Sequence, residues 1–230
     1  MDLIQTILPS LLDGLKMTLT LFFIIGLSSI PLGFLVAVIR VYGPKWLGFL
    51  IQIYVFIMRG TPLLLQLMFV FFGLPLIGIT LDRFTAAILA YIINYAAYYA
   101  EIFRGGITAV PKGQFEAISV LGIGKIRGFF KIIIPQVTKI VLPSVGNEVI
   151  ALVKDTSLVY VIGLGELLRA GQIAANTYAS LVPFLAVGIV YLSITAVITV
   201  LLNKLESKGN FLGGSGNHVI KCDEFNKVLS

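Results

Sequence analysis

Five polar residues, Arg59, Asn94, Glu148, Lys154 and Asp155, stand in stretches otherwise built from aliphatic and aromatic side chains. A charge at the centre of a bilayer opposes insertion by ~2.5–3.5 kcal/mol, so the four ionised groups would cost roughly 10 kcal/mol if they faced lipid. They must face each other, or water. Glu148 and Asp155 are separated by nearly two helical turns, which puts both carboxylates on one stripe, with Asn147 and Lys154 on the adjacent one. Asn94 offers amide donors and an acceptor that suit the ammonium or carboxylate of a zwitterion. A plainer reading stands beside each: structural ion pairs for the charges, and interhelical glue for Asn94. As a group these residues point to a polar cavity that binds a small solute.

Catalytic chemistry has no comparable footing. No Gly-x-x-x-x-Gly-Lys-Ser/Thr loop is present to hold ATP phosphates, and Gly122-Ile123-Gly124-Lys125 lacks both the first glycine and the hydroxyl residue. A single cysteine, Cys222, excludes a multi-cysteine metal site, and the single histidine, His218, lies near it in a polar tail. No catalytic residue, metal site or cofactor is therefore expected.

The surroundings of these residues define the class. With 58% hydrophobic residues and a mean hydropathy of +1.00, the chain reads as a polytopic membrane protein. Its apolar stretches are too long and too evenly apolar for barrel strands, so the fold is expected to be all-α. Five spans are read at about 15–39, 46–72, 84–103, 140–162 and 182–202. Residues 1–209 form one transmembrane domain, and the Gly- and Ser-rich segment 210–230 reads as a flexible cytoplasmic tail. The formal charge of +6 reflects loops that face the cytoplasm rather than a partner nucleic acid. Arg40 and Lys45, the basic third connection from Arg104 to Lys139, and Lys204 onward share one side, while Lys16, Arg83 and Arg169 lie near the other. The positive-inside rule then places the N-terminus outside and the C-terminus in the cytoplasm. The N-terminus carries no pattern of a cleaved signal peptide, and the first span is expected to direct insertion.

Two local features sharpen this. Pro62 removes a backbone hydrogen bond within the second span and frees the carbonyl of Met58, next to a permissive Gly60. Broken helices at mid-depth line substrate paths, though a plain packing kink is the competing view. The long third connection should hold structure of its own. Pro111 suits a helix start and Gly122 the position past its end, so a short helix is expected over about 111–122. Phe115 and Ile118, with Val120 and Leu121 beside them, offer it an apolar stripe, and Glu116 and Lys112 a polar one. Such a helix could simply lie on the membrane surface.

The segment from Phe115-Glu116-Ala117 through Gly122 to Ile132-Ile133-Ile134-Pro135 resembles the "EAA, three residues, G, nine residues, I-x-L-P" motif of ABC importer permeases. Ile118 replaces the second alanine and Ile134 the leucine. Arg59-Gly60-Thr61-Pro62-Leu63-Leu64-Leu65-Gln66-Leu67 is similar to the "RGTPLLVQL" signature of polar amino acid importers. The stretch from Asn94 to Ile107, Gly146-Asn147-Glu148-Val149-Ile150, and Lys154-Asp155-Thr156-Ser157-Leu158 resemble further segments of that family, in the same order.

The resemblance implies a type I importer permease that moves polar amino acids by alternating access across a bacterial cytoplasmic membrane. Two ATP-binding subunits would dock on a coupling helix through Glu116, Ala117 and Gly122. A second permease copy or homologue would complete the path, and an extracytoplasmic binding protein would deliver the amino-acid substrate. By resemblance and by depth, Arg59, Asn94, Glu148 and Asp155 are the candidate substrate-binding residues. Ile118 is expected to add bulk to the docking face. An ion-coupled secondary transporter, with a carboxylate relaying protons, is the alternative that buried charges alone allow. A non-transporting scaffold would explain the spans but not the intramembrane charges.

Overall fold

A computed structural model of the chain describes residues 2–211, and among them every regular element is helical. The tail expected over 210–230 lies outside the described residues beyond Phe211, and so do His218 and Cys222. The long helices are α1 (Asp2–Tyr42), α4 (Arg83–Ala109), α7 (Ile134–Asp155) and α9 (Val182–Phe211), with α2 (Lys45–Gly60) and α3 (Leu63–Met68) between α1 and α4. Two short helices, α5 (Lys112–Val120) and α6 (Lys125–Gly128), fill the third connection, and α8 (Leu167–Tyr178) precedes α9.

Four segments are long and apolar enough to cross a membrane, and α2 with the α3 segment makes a fifth if the bent pair is taken as one span. That pair, Lys45–Gly60 and Leu63–Ile77, is bent by 105°, where the sequence reads a single span over 46–72. The cause is local: Thr61 and Pro62 adopt extended backbone, with ψ of 148° and 135°. Beyond α3 the chain winds through a π turn (Phe69–Gly73) and a 3-10 turn (Leu74–Ile77), and Gly78 ends it at a φ of +87° that a side chain would resist.

Helix α1 runs for 41 residues, roughly 60 Å at 1.5 Å per residue and about twice the hydrocarbon thickness. Its first turns extend beyond the span expected at 15–39 because Ile7 and Leu11 are buried against Leu167, Ala174 and Val187 of α8 and α9. Helix α4 is the hub. Its small residues, among them Ala86, Ala90 and Ala97, are buried, and a Cβ on Gly33 of α1 would meet the Ala96 carbonyl at 2.9 Å. That close approach is why α1 carries glycine there. The central core joins Leu21 and Ile25 of α1, Leu67, Tyr91 and Tyr95, and Leu152 of α7. A second core, at the α5 end, joins Ile107, Val110, Ile118, Ile133, Val137 and Val141.

Candidate functional site

The break between α2 and α3 is held by two amides. The Met58 carbonyl accepts hydrogen bonds from Gln66 Nε2 and Asn94 Nδ2, each at 3.0 Å. Asn94 Nδ2 also donates to Gln66 Oε1 at 2.9 Å, and Gln66 Nε2 approaches Thr61 Oγ1 at 2.7 Å. The carbonyl that Pro62 frees is therefore satisfied from α4, which buries Asn94 to 3% exposure. An unpaired carbonyl here would cost about 1–3 kcal/mol.

Within about a turn of Asn94 on either side along α4, tyrosines meet the charged residues. The Tyr95 hydroxyl donates to Asp155 Oδ2 at 2.7 Å, and the Tyr91 hydroxyl donates to the Asp155 carbonyl at 2.6 Å. Arg59, at the end of α2, places its guanidinium 5.3 Å from the centre of the Tyr98 ring. Glu148 lies on α7 within electrostatic reach of Arg59 and Asp155. It is half-buried, and among the described residues no hydrogen bond reaches its carboxylate. The ion pairs among the described residues join Arg40 and Arg104 to Glu101, and Arg59, Glu148, Lys154 and Asp155 form none among those residues. The structure thus gathers Arg59, Asn94, Glu148 and Asp155 around the middle of α4. Tyr91, Tyr95 and Tyr98 were not read from the sequence as part of the site, although their helical spacing signals a shared region. Gln66 stands in the Arg59–Leu67 motif, and an amide in an apolar helix is itself a signal.

At the other end, α5 starts at Lys112 with Pro111 as its N-cap and ends in a Schellman motif. The Ile123 amide donates to the Ile118 carbonyl at 3.0 Å, the Gly122 amide to Ser119 at 3.2 Å, and Gly122 has a φ of +64°. Glu116, Ala117 and Gly122 are exposed, beside Val120 at 86% and Leu121 at 71% exposure. Ile118 does not add bulk to that surface. It is 7% exposed and turns inward onto Gly128 of α6, where a Cβ would meet its side chain at 2.6 Å. Val120 and Leu121, expected on the apolar stripe beside Phe115 and Ile118, are exposed while Ile118 is buried.

A further buried acid escaped the sequence reading. Glu166 is fully buried and caps α8, accepting from the Leu168 and Arg169 amides at 2.6 Å and from the Tyr191 hydroxyl at 3.1 Å. Burial raises its carboxyl above the ordinary value, although those three hydrogen bonds and nearby Arg169 work in the opposite direction. Beside it, the Leu167 amide donates to Thr18 Oγ1 at 3.2 Å, which ties the cap to α1.

A helical bundle with a broken span, charged residues in its spans that form no ion pairs among the described residues, and an exposed short helix at one end defines an integral membrane transport component. The chain belongs to the family described as binding-protein-dependent transport system inner membrane component, which matches residues 29–208. It is 37% identical over 203 residues to the arginine transport system permease protein ArtQ of Bacillus subtilis (strain 168), covering 87% of this chain and 93% of that one. It is equally 37% identical over 209 residues to the glutamine transport system permease protein GlnP of Escherichia coli (strain K12), covering 89% and 95%. The crystal structure of an amino acid ABC transporter with histidines superposes with a TM-score of 0.81 at 36% identity, covering 87% of this chain and 94% of that one. An inward-facing MetNI methionine ABC transporter has a TM-score of 0.76 at 18% identity, with 87% and 96% covered, and shares the fold.

The chain is thus the permease subunit of an ABC importer and not itself an enzyme; ATP hydrolysis belongs to a separate subunit. It works in the inner membrane with ATPase and binding-protein subunits. The ion-coupled alternative is not favoured by this membership.

Proposed function

We propose that this permease moves a cationic or neutral polar amino acid by alternating access, along a path whose wall includes Arg59, Asn94, Glu148 and Asp155. The observation that carries this reading is the collection of intramembrane charges around α4 without ion pairs among themselves. Such groups are stabilised by a zwitterionic ligand and by water rather than by lipid. Arg59 would take the α-carboxylate, and Glu148 and Asp155 the ammonium or a cationic side chain. Asn94, whose Nδ2 serves the broken helix, would shape the pocket wall. The permease relatives named for arginine and glutamine support the substrate class.

A second permease copy or homologue would close the path, and an extracytoplasmic amino-acid-binding protein would load it. Two ATP-binding subunits would dock on α5 as a coupling helix, through Glu116, Ala117 and Gly122. ATP-driven closure of those subunits would draw the coupling helices together and open the path outward. The N-terminus would lie outside and the C-terminus in the cytoplasm, as the basic residues of 104–139 and Lys204 favour.

The test is uptake into proteoliposomes holding the complete transporter with ATP inside and the binding protein outside, using labelled cationic, neutral polar and acidic amino acids. Uptake of a cationic or neutral polar one that needs ATP and survives a proton uncoupler is the expected result. Uptake that ignores ATP and collapses with the uncoupler would overturn the reading.

A further inference from the structure

Where α1 ends against α5 and α6, a cleft of about 400 Å³ opens at the surface. Ile118 and Ile133, both buried, lie at its base, and Val38, Tyr42, Phe115 and Phe129 line its sides. Ile126 at 78% and Phe130 at 58% exposure form its outer lip. Polar character is confined to Ser119, the Tyr42 hydroxyl and Lys125, and no acidic side chain lines it.

Two observations indicate what fills it. The cleft prolongs an exposed apolar stripe of α1 that runs through Phe23, Leu27, Leu35 and Tyr42 at helical spacing. In a membrane-spanning helix such a stripe suits acyl chains, and the cleft continues it. The surroundings are basic as well: Lys125 lines the cleft, Arg127 and Lys131 line the neighbouring hollow, and no acidic residue occurs between Glu116 and Glu148. An apolar slot with a cationic edge matches an acyl chain carrying an anionic headgroup. A polypeptide would have to bring an acidic side chain beside an apolar one to match both features.

We propose that this cleft binds one anionic membrane phospholipid, its acyl chain between α1 and α6 and its phosphate at Lys125. The proposal rests on the reading of α5 and α6 as standing at the cytoplasmic edge of the membrane. Phe115, Ile118 and Ser119 belong to α5, so the lipid braces the inner side of the helix whose outer side carries Glu116 and Ala117. Anionic lipid then stiffens the link from α5 to the spans, and coupling of uptake to ATP rises with it.

The complete transporter is placed in nanodiscs of phosphatidylcholine alone or mixed equally with phosphatidylglycerol, with a photo-crosslinking phenylalanine derivative introduced at Phe130. Mass spectrometry reads what is attached. A phosphatidylglycerol adduct is expected, preferred over phosphatidylcholine, reduced by roughly fivefold or more by Lys125→Glu and unchanged by Lys204→Glu. Equal loss in both variants, equal labelling by both lipids, or a cross-link to another polypeptide would each overturn the proposal. ATP-driven uptake in the same particles separates the two claims. Uptake without the adduct removes the lipid site alone, whereas the adduct without uptake keeps the site and counts against the transport reading.

Discussion

Glu148 is half-buried and lacks a hydrogen-bond partner among the described residues, so Glu148→Gln removes charge while keeping shape. That variant is expected to lower ATP-driven uptake by roughly tenfold, about 1.4 kcal/mol of lost ligand interaction, with the purified complex intact; unchanged uptake would remove Glu148 from the path. Asn94 and Gln66 call for a different experiment, because both donate to the Met58 carbonyl. Asn94→Leu and Gln66→Leu are each expected to destabilise by ~1–3 kcal/mol in thermal unfolding, and the double variant by less than their sum. Strict additivity would mean that the two amides act separately. The charges and Asn94 were legible in the sequence because each is costly in lipid, whatever its neighbours. Tyr91 and Tyr95 were not, because aromatic residues are ordinary in a buried helix face and only the fold reveals which hydroxyl meets Asp155.

At the scale of elements, Pro62 announced a break, but not its size. The 105° bend follows the extended backbone of Thr61 and Pro62, and Asn94, from a distant part of the chain, supplies one of the two amides that satisfy the freed Met58 carbonyl. The helix of the third connection was legible to within a residue or two, from Pro111 and Gly122. Its outward face was not, since Ile118 turns inward only because Gly128 admits it. Helix α8 was missed altogether: it is 12 residues long and capped by a glutamate, a weak start signal. The first turns of α1 were missed for a related reason, since Ile7 and Leu11 pack on α8 and α9.

The Glu166 cap carries a pH signature of its own. Its folded-state carboxyl lies above the ordinary 4.5, so the folded chain binds that proton more tightly than the unfolded one. This contribution is therefore full below the ordinary value and is lost as pH rises through the raised one. The thermal unfolding midpoint is expected to fall over that window, and Glu166→Gln, which keeps one cap acceptor, to flatten the dependence. A wild-type midpoint that climbs through the window would contradict this account.

The whole molecule leaves large apolar surfaces uncovered. Helix α9 shows large apolar residues such as Leu185, Ile189 and Leu192 to its surroundings, as expected of a span that meets lipid or another subunit. The importer family was legible from ordered motifs across the chain, and the fold and membership follow them. How many copies assemble was not, because a single sequence carries no partner. The claim that joins all scales is that α5 links this permease to a separate ATPase, and co-purification from native membranes in mild detergent tests it most directly. The tagged chain is expected to bring an ATP-binding subunit with it, and Glu116→Arg on the exposed face of α5 to lose that subunit while still folding and pairing. An ATPase retained undiminished by the Glu116→Arg chain, or absent from a folded and oligomeric wild type, would contradict the account.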